Sequence, residues 1–503
     1  MKQALTFVSP RLALQKGDFI GSGVPYWPVE LATLAAHARE TGDTVILIDL
    51  FGNDPRQLED RGDHYLQGES IDLHLARDAV CQSDAFVLYA ISYMSHGELL
   101  AITRDLRQTF PLTPIAILEN SQAVTAYSLQ RVAQAFLDAG ADLLICGEPY
   151  FNWNAIKLCL RRPQTETLPE NLISRDSIRP PRRITLKDAR YPVPAWDLVN
   201  LQGYWSLPYA HGPKTPRYLP ILTSRGCPYP CDFCVVPETN NRAWRGNDAK
   251  QVVDEIIALR DRYGVRDFQV EDLNPTVSHL RWEAICEQLI ERNADVRFYL
   301  VSGTKAETLR VDKLALLARA GCRYISISPE SGSPRLMKTI GKPFDYAHGI
   351  AIVAGCRENA IRTQACLLVG HPAESEQDFI ATRDYLVRLV RAGLDEVAVF
   401  IVAPFAGSAL HTRNGIDVGN SQALPSFSPR GRTDYPQLER RRRTLIRAFF
   451  GQKLLRGLDL WRQGLRAVAG TPQTKMENLP RRIAFVGWLV LHGKLARRWS
   501  RGT

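Results

Sequence analysis

The residues best equipped for chemistry in this 503-residue chain are three cysteines in the stretch SRGCPYPCDFCVVP, at Cys227, Cys231 and Cys234. Thiolates are strong ligands for soft metals. A structural zinc site wants four closed ligands, usually as two closely spaced pairs. Here one group of three stands alone, and His211 lies sixteen residues before Cys227, across a Pro/Gly-rich stretch. Three thiolates suit a [4Fe–4S] cluster with one iron left open, and an open iron is a catalytic position. A zinc knuckle completed by His211, or three independent structural cysteines, are the weaker readings. Gly226, Pro228 and Pro230 allow a tight wrap in which backbone amides reach sulfur.

Such a loop needs a rigid scaffold. Residues 216–405 carry six strand-and-helix repeats, with strands expected at 218–224, 267–273, 297–302, 324–331, 362–370 and 396–404. The helices between them repeat their apolar residues at helical spacing; in the first, Asp248 reads as the N-cap and Gly264 as the stop. Six β/α units predict a partial (β/α)6 barrel, three-quarters closed. Its chemistry belongs at the carboxyl ends of the strands, where the cysteine loop falls. Upstream, apolar runs at 4–8, 44–50, 84–91, 114–118 and 141–149 alternate with helices, one ended by Gly42 and others over 97–108 and 128–139. That pattern predicts an α/β, doubly wound, Rossmann-like domain on a parallel sheet. The expected division is 1–160 for this domain, 161–215 for a Pro/Arg-rich linker, 216–410 for the barrel and 411–503 for a helical basic region.

Charge is uneven along the chain. The net charge is +10, yet residues 430–503 hold 18 Lys and Arg against 4 Asp and Glu, which leaves −4 for the rest. Residues 441–468 read as a helix with Leu445, Phe449, Leu454, Leu458, Trp461 and Leu465 along one face, and residues 483–501 add Trp488 and Trp499. Basic amphipathic helices can rest on an anionic membrane. The competing reading is a helical cap docked on the barrel with a solvated basic face. Nucleic acid ranks third, because no RNA-binding module is recognisable. The longest apolar run, Ile483–Leu491, has nine residues, short of the ~20 a span needs. The N-terminal residues show no secretory signal, and the seven other cysteines are scattered singly. They read as small buried hydrophobes in a reducing cytoplasm.

The spacing Cys227-x3-Cys231-x2-Cys234 after a first barrel strand resembles the radical S-adenosylmethionine superfamily. Four later stretches resemble its subgroup with an N-terminal cobalamin-binding domain: FQVEDLNPTV (268–277), ISISPESGSPRLMKTIGK (325–342), LLVGHPAESEQDF (367–379) and APFAGSAL (403–410). The likeness spans roughly residues 1–410. It implies that the three cysteines hold the cluster and that the open iron chelates S-adenosylmethionine. Reductive cleavage then gives a 5′-deoxyadenosyl radical that takes hydrogen from an unactivated carbon. It puts Phe233 beside the adenine, Ser328 and Glu330 near the amino and ribose groups, and Glu271 and Asp272 at the cavity or its rim. Ser302 is a weaker candidate, and His371 either meets substrate or fills a turn. The plain alternatives are a helix cap for Ser328 and Glu330 and an ordinary strand end for Glu271 and Asp272. In the first domain, Gly21–Gly23 and Tyr93–Gly97 follow strands one and three, where a corrin would rest. The second strand leads into DLFGNDP (49–55), without the histidine that ligates cobalt in methyltransferase and mutase domains, and His96 reads as a loop histidine. The resemblance therefore implies cobalamin-dependent C-methylation of a small-molecule or lipophilic substrate, fed by a reductant such as flavodoxin or ferredoxin. A radical cyclase, oxidase or rearrangement enzyme is the alternative, and a non-catalytic iron–sulfur protein is the rival of another class.

Overall fold

The computed structural model describes residues 2–16, 22–161, 168–178, 180–183, 191–413 and 433–500, with side chains of the last helix up to residue 492. Gly21 and the side chain of Trp499 lie outside the described residues.

The first sheet is built from β1 (Ala4–Ser9), β2 (Thr44–Asp49), β3 (Ala85–Ala90), β4 (Ile115–Glu119), β5 (Leu143–Ile145) and β6 (Leu172–Ser174). Their order is β2-β1-β3-β4-β5-β6, parallel except for the last pair. β1 to β5 stand where the apolar runs put them, and strands buried on both faces have little polar alternation to show. β6 is a difference: it is an antiparallel edge strand drawn from the stretch expected to be linker. Helices α1 (Val29–Glu40) and α2 (His96–Thr109) pack on this sheet. His96 therefore opens a helix rather than sitting in a loop. Its ring lies edge-on to Tyr127 and Phe136 in the core, and Nδ1 is 3.2 Å from the Tyr127 hydroxyl.

The barrel strands are β7 (Tyr218–Ile221), β8 (Asp267–Val270), β9 (Arg297–Thr304), β10 (Cys322–Glu330), β11 (Arg362–Val369) and β12 (Glu396–Ile401), paired in sequence order and all parallel. The sheet stays open between β7 and β12, as six units predict. The helix signals hold at atomic level. Asp248 accepts from the amides of Lys250 and Gln251 at the start of α3 (Ala249–Tyr263), and Gly264 ends it at φ +62°. Ser375 and Asp378 form a capping box on α4 (Glu376–Ala392).

The C-terminal region folds onto the barrel. Its helices are α5 (Tyr435–Leu455), α6 (Asp459–Ala469) and α7 (Leu479–Ser500), so the single helix expected over 441–468 is broken at Arg456–Leu458. The expected apolar face splits with it. Leu445 and Phe449 are buried as α5 packs on α4 and β12, while Leu454, Leu458, Trp461 and Leu465 are exposed. Residues 474–478 run across the foot of the open barrel. There the Met476 amide donates to Glu396 Oε2 at 2.8 Å, and Lys475 Nζ reaches Val301 O and Gln364 Oε1 at 3.3 Å. Further on, Arg482 lies over the Tyr209 ring and donates to the carbonyls of Ser22 and Gly23. The segment thus ties the barrel to the first domain.

Candidate functional site

The cysteine loop is gripped from three sides. Gly226 adopts φ +75°, and a Cβ there would meet Ala243 O at 2.1 Å, so glycine is required immediately before Cys227. The Gly226 amide donates to Gln122 Oε1 at 3.0 Å, and Arg225 pairs with Glu30 at 2.9 Å. Both partners come from the first domain. Within the loop, Asp232 Oδ2 faces His371 Nε2 and Arg413 Nη1, each at 3.2 Å. His371 Nδ1 accepts from the Ala373 amide, which leaves the proton on Nε2 for Asp232. His371 thus fills its turn and secures the loop.

The three thiols are half-buried and close enough to influence one another electrostatically. Burial pushes Cys231 up to about 11 and raises Cys227 and Cys234 as well. Iron binding must therefore displace their protons. Among the described residues no trio of His, Cys, Asp or Glu could hold a single metal ion. The donor set, three thiols from one loop, suits a cubane cluster, in which each thiolate takes its own iron. Phe233 packs with Cys231 against Leu336, Met337 and Ile340.

At the end of β10, Glu330 is buried in a left-handed conformation, φ +57°, which a non-glycine residue adopts only when its surroundings enforce it. Lys342 provides that enforcement. Its Nζ donates to Glu330 Oε1 at 2.6 Å and to Ser328 O and Oγ at 2.7 Å. Burial raises the Glu330 carboxyl, with Lys342 opposing. Neither Ser328 nor Glu330 caps the following helix; Ser333 does, accepting from the Leu336 amide. Sequence reasoning missed Lys342. The signal available was a lone lysine directly after a helix-ending glycine, Gly341 at φ +80°.

Glu271 and Asp272 point in opposite directions. Glu271 turns into the barrel, where Oε2 is 2.6 Å from His211 Nδ1. Asp272 does not face the cavity: it is fully buried, accepting from Thr223 N and Oγ1 at 2.7 Å and from Ser224 Oγ at 2.5 Å. β8 ends at Val270, but the Glu271 amide still bonds the Ile221 carbonyl at 3.0 Å, so the alternation of the strand carries on and turns the two neighbouring carboxylates opposite ways. Ser302 Oγ sits 3.4 Å from the Glu271 carbonyl at the rim. Of the seven scattered cysteines, Cys81 is exposed and Cys366 is half-buried inside the barrel beside Ser326 and Gln364, contrary to the expectation of buried hydrophobes.

The first domain has a cleft at the carboxyl ends of β1, β2 and β3, lined by Ser9, Gly23, Tyr26, Asp49, Ser92 and Tyr204 among others. Asp49 accepts from the Tyr204 hydroxyl at 2.7 Å through Oδ2, but Oδ1 has no hydrogen-bond partner, and burial pushes its carboxyl up to about 6. The unpartnered Asp49 Oδ1 suits a ligand that donates hydrogen bonds, as the amide side chains at the rim of a corrin do. No histidine lines the cavity among the described residues. Tyr26 lines the cavity and packs edge-on against His211, centroids 5.1 Å apart, so the cavity abuts the barrel mouth.

Residues 221–386 match the Radical SAM superfamily. An uncharacterized methyltransferase of Pyrococcus horikoshii is 24% identical over 46% of this chain and 48% of its own length. Cytidylyl-2-hydroxyethylphosphonate methyltransferase of Streptomyces wedmorensis is 28% identical over 44% of this chain and 42% of its own. The chain thus spans less than half the length of these curated relatives. Its fold resembles that of the radical S-adenosylmethionine methyltransferase TsrM from Kitasatospora setae, solved with cobalamin and a [4Fe–4S] cluster bound. The TM-score is 0.61 at 17% identity, over 85% of this chain and 80% of that one.

Proposed function

We propose that this protein is a cobalamin-dependent radical S-adenosylmethionine enzyme that methylates an unactivated carbon of a small-molecule or lipophilic substrate. The observation that carries this reading is the junction of the two sites through Tyr26, which lines the cavity of the first domain and touches the His211–Glu271 pair of the barrel. A cluster on Cys227, Cys231 and Cys234 would supply the electron that cleaves S-adenosylmethionine, and cobalamin in the first-domain cavity would supply the methyl carrier. The residues of the chain prepare both sites. Lys342 takes Oε1 of Glu330 and fixes the carboxylate, whose Oε2 would be left for the ligand's ammonium. Ser328 would join Glu330 on that ligand and Phe233 would flank its adenine; Gly303 makes room for Ser328, since a Cβ there would stand 2.8 Å from Ser328 Cβ. Glu271 and His211, hydrogen-bonded at 2.6 Å, could orient or deprotonate a substrate held at the barrel mouth. Ser302 offers a hydroxyl on the same rim. The electron comes from outside, from a carrier of the flavodoxin or ferredoxin kind.

Anaerobically reconstituted protein tests the reading. Reduced with S-adenosylmethionine and cobalamin, it should form 5′-deoxyadenosine, and expressing cells should accumulate a product heavier by one methylene. The variant with all three cysteines changed to alanine should lose the cluster absorbance and this cleavage. Cleavage without a methylated product would favour a cyclase or oxidase. No cleavage by cluster-loaded protein would favour a non-catalytic iron–sulfur protein. Cobalamin should bind with no nitrogen hyperfine splitting from histidine in its reduced spectrum.

A further inference from the structure

Helix α6 is amphipathic the wrong way round for a helix packed on its own protein. Its inward residue is polar: Gln463 is buried, donating to Asp395 O at 3.0 Å and facing Lys453 Nζ at 3.2 Å. Its outward residues are apolar. Leu458, Trp461, Leu465 and Val468 follow at intervals of three and four, which puts them on one face, and they are 63–86% exposed. Leu454 and Leu455, at the end of α5, extend the same surface. Single exposed apolar residues are ordinary, but six in a row along one surface mark a place where something docks.

Charge selects what docks. Arg447, Arg462 and Arg481 are exposed around the patch, with Arg481 reaching the Val468 carbonyl at 3.5 Å. Three of the four carboxylates in residues 430–503, Glu439, Asp459 and Glu477, are held in ion pairs with arginines. The surface is thus apolar at its centre, cationic at its edge and carries a tryptophan, whose ring prefers the boundary between hydrocarbon and water. A second copy of the chain would bring the same cations against themselves. No described helix is long and apolar enough to cross a membrane.

We propose that the Leu458–Val468 face of α6 seats the protein on an anionic lipid bilayer, with the apolar stripe in the acyl boundary and the arginines among the headgroups. The interaction is independent of the reaction in the barrel. Flotation of the full-length, anaerobically reconstituted protein tests it, using vesicles of mixed phosphatidylglycerol and phosphatidylcholine. At low salt the protein should float with these vesicles and not with pure phosphatidylcholine, and added salt should weaken binding. The double variant Trp461→Ser/Leu465→Ser removes two side chains that are 69% and 68% exposed. It should melt at the parent temperature and partition roughly tenfold less. Failure of the parent to float with the anionic vesicles, or undiminished flotation of the variant, overturns the proposal. So does a parent dimer in sedimentation that this variant dissociates, since the stripe would then be covered by a second copy.

Discussion

Lys342 shows what a single side chain can decide. It holds a buried carboxylate, a strained backbone and a strand-end serine at once. Removing one partner of a buried pair leaves an uncompensated charge, at about 3–5 kcal/mol. Lys342→Met should therefore lower stability by about that much in urea unfolding, and weaken S-adenosylmethionine binding at least tenfold in calorimetry. Adding Glu330→Gln should recover stability but not binding, a non-additivity that separates the structural role from the ligand's. His96 makes a second test, on pH. Burial lowers its pKa from 6.5 to about 4, so the folded state keeps the ring neutral where the unfolded chain takes up a proton. The stability it contributes is complete above pH 6.5 and is lost as pH falls toward 4. Over that window the parent should lose about 1.4 kcal/mol per pH unit more than His96→Leu, measured by unfolding at stepped pH.

At the scale of elements, legibility in the sequence follows the range of the interaction. Asp248, Gly264 and the Ser375–Asp378 box act within a turn of helix, and their residue types announce them. β6 carries three residues and pairs at an edge, leaving too short a pattern to read. The face of α6 was visible as an apolar stripe, but a periodicity says only that a helix has two sides, and Gln463 inside reverses the usual choice. Glu30–Arg225 spans 195 positions and has no local signature. Yet that pair, 3–7% exposed, grips the residue two places before Cys227, and Arg225 also lies 3.4 Å from the centroid of the Tyr191 ring. Glu30→Gln should cost about 3 kcal/mol and speed iron loss from the reconstituted cluster under chelator, followed by absorbance. An unchanged rate of loss would confine the pair to domain packing.

For the whole molecule, the C-terminal region is a wall as well as a surface. Residues 474–478 satisfy Glu396 inside the barrel, whose other oxygen accepts from Gln364 and from Tyr324, and Arg482 anchors the far side to the first domain. Truncation after residue 470 should thus lower the melting temperature and abolish S-adenosylmethionine cleavage in solution, before any membrane enters the assay. Cleavage by the truncated chain at the parent rate would show the barrel to be complete without it. The same logic bears on exchange of parts between related enzymes. Glu30, Glu119 and Gln122 belong to the first sheet and its flanks, while Arg225, Gly226 and the linker's Arg183 are their counterparts. A chimaera that inherits its first domain from one parent and its barrel from another receives a key and a lock cut separately, so the heritable unit of this protein is the matched pair of domains, not either module.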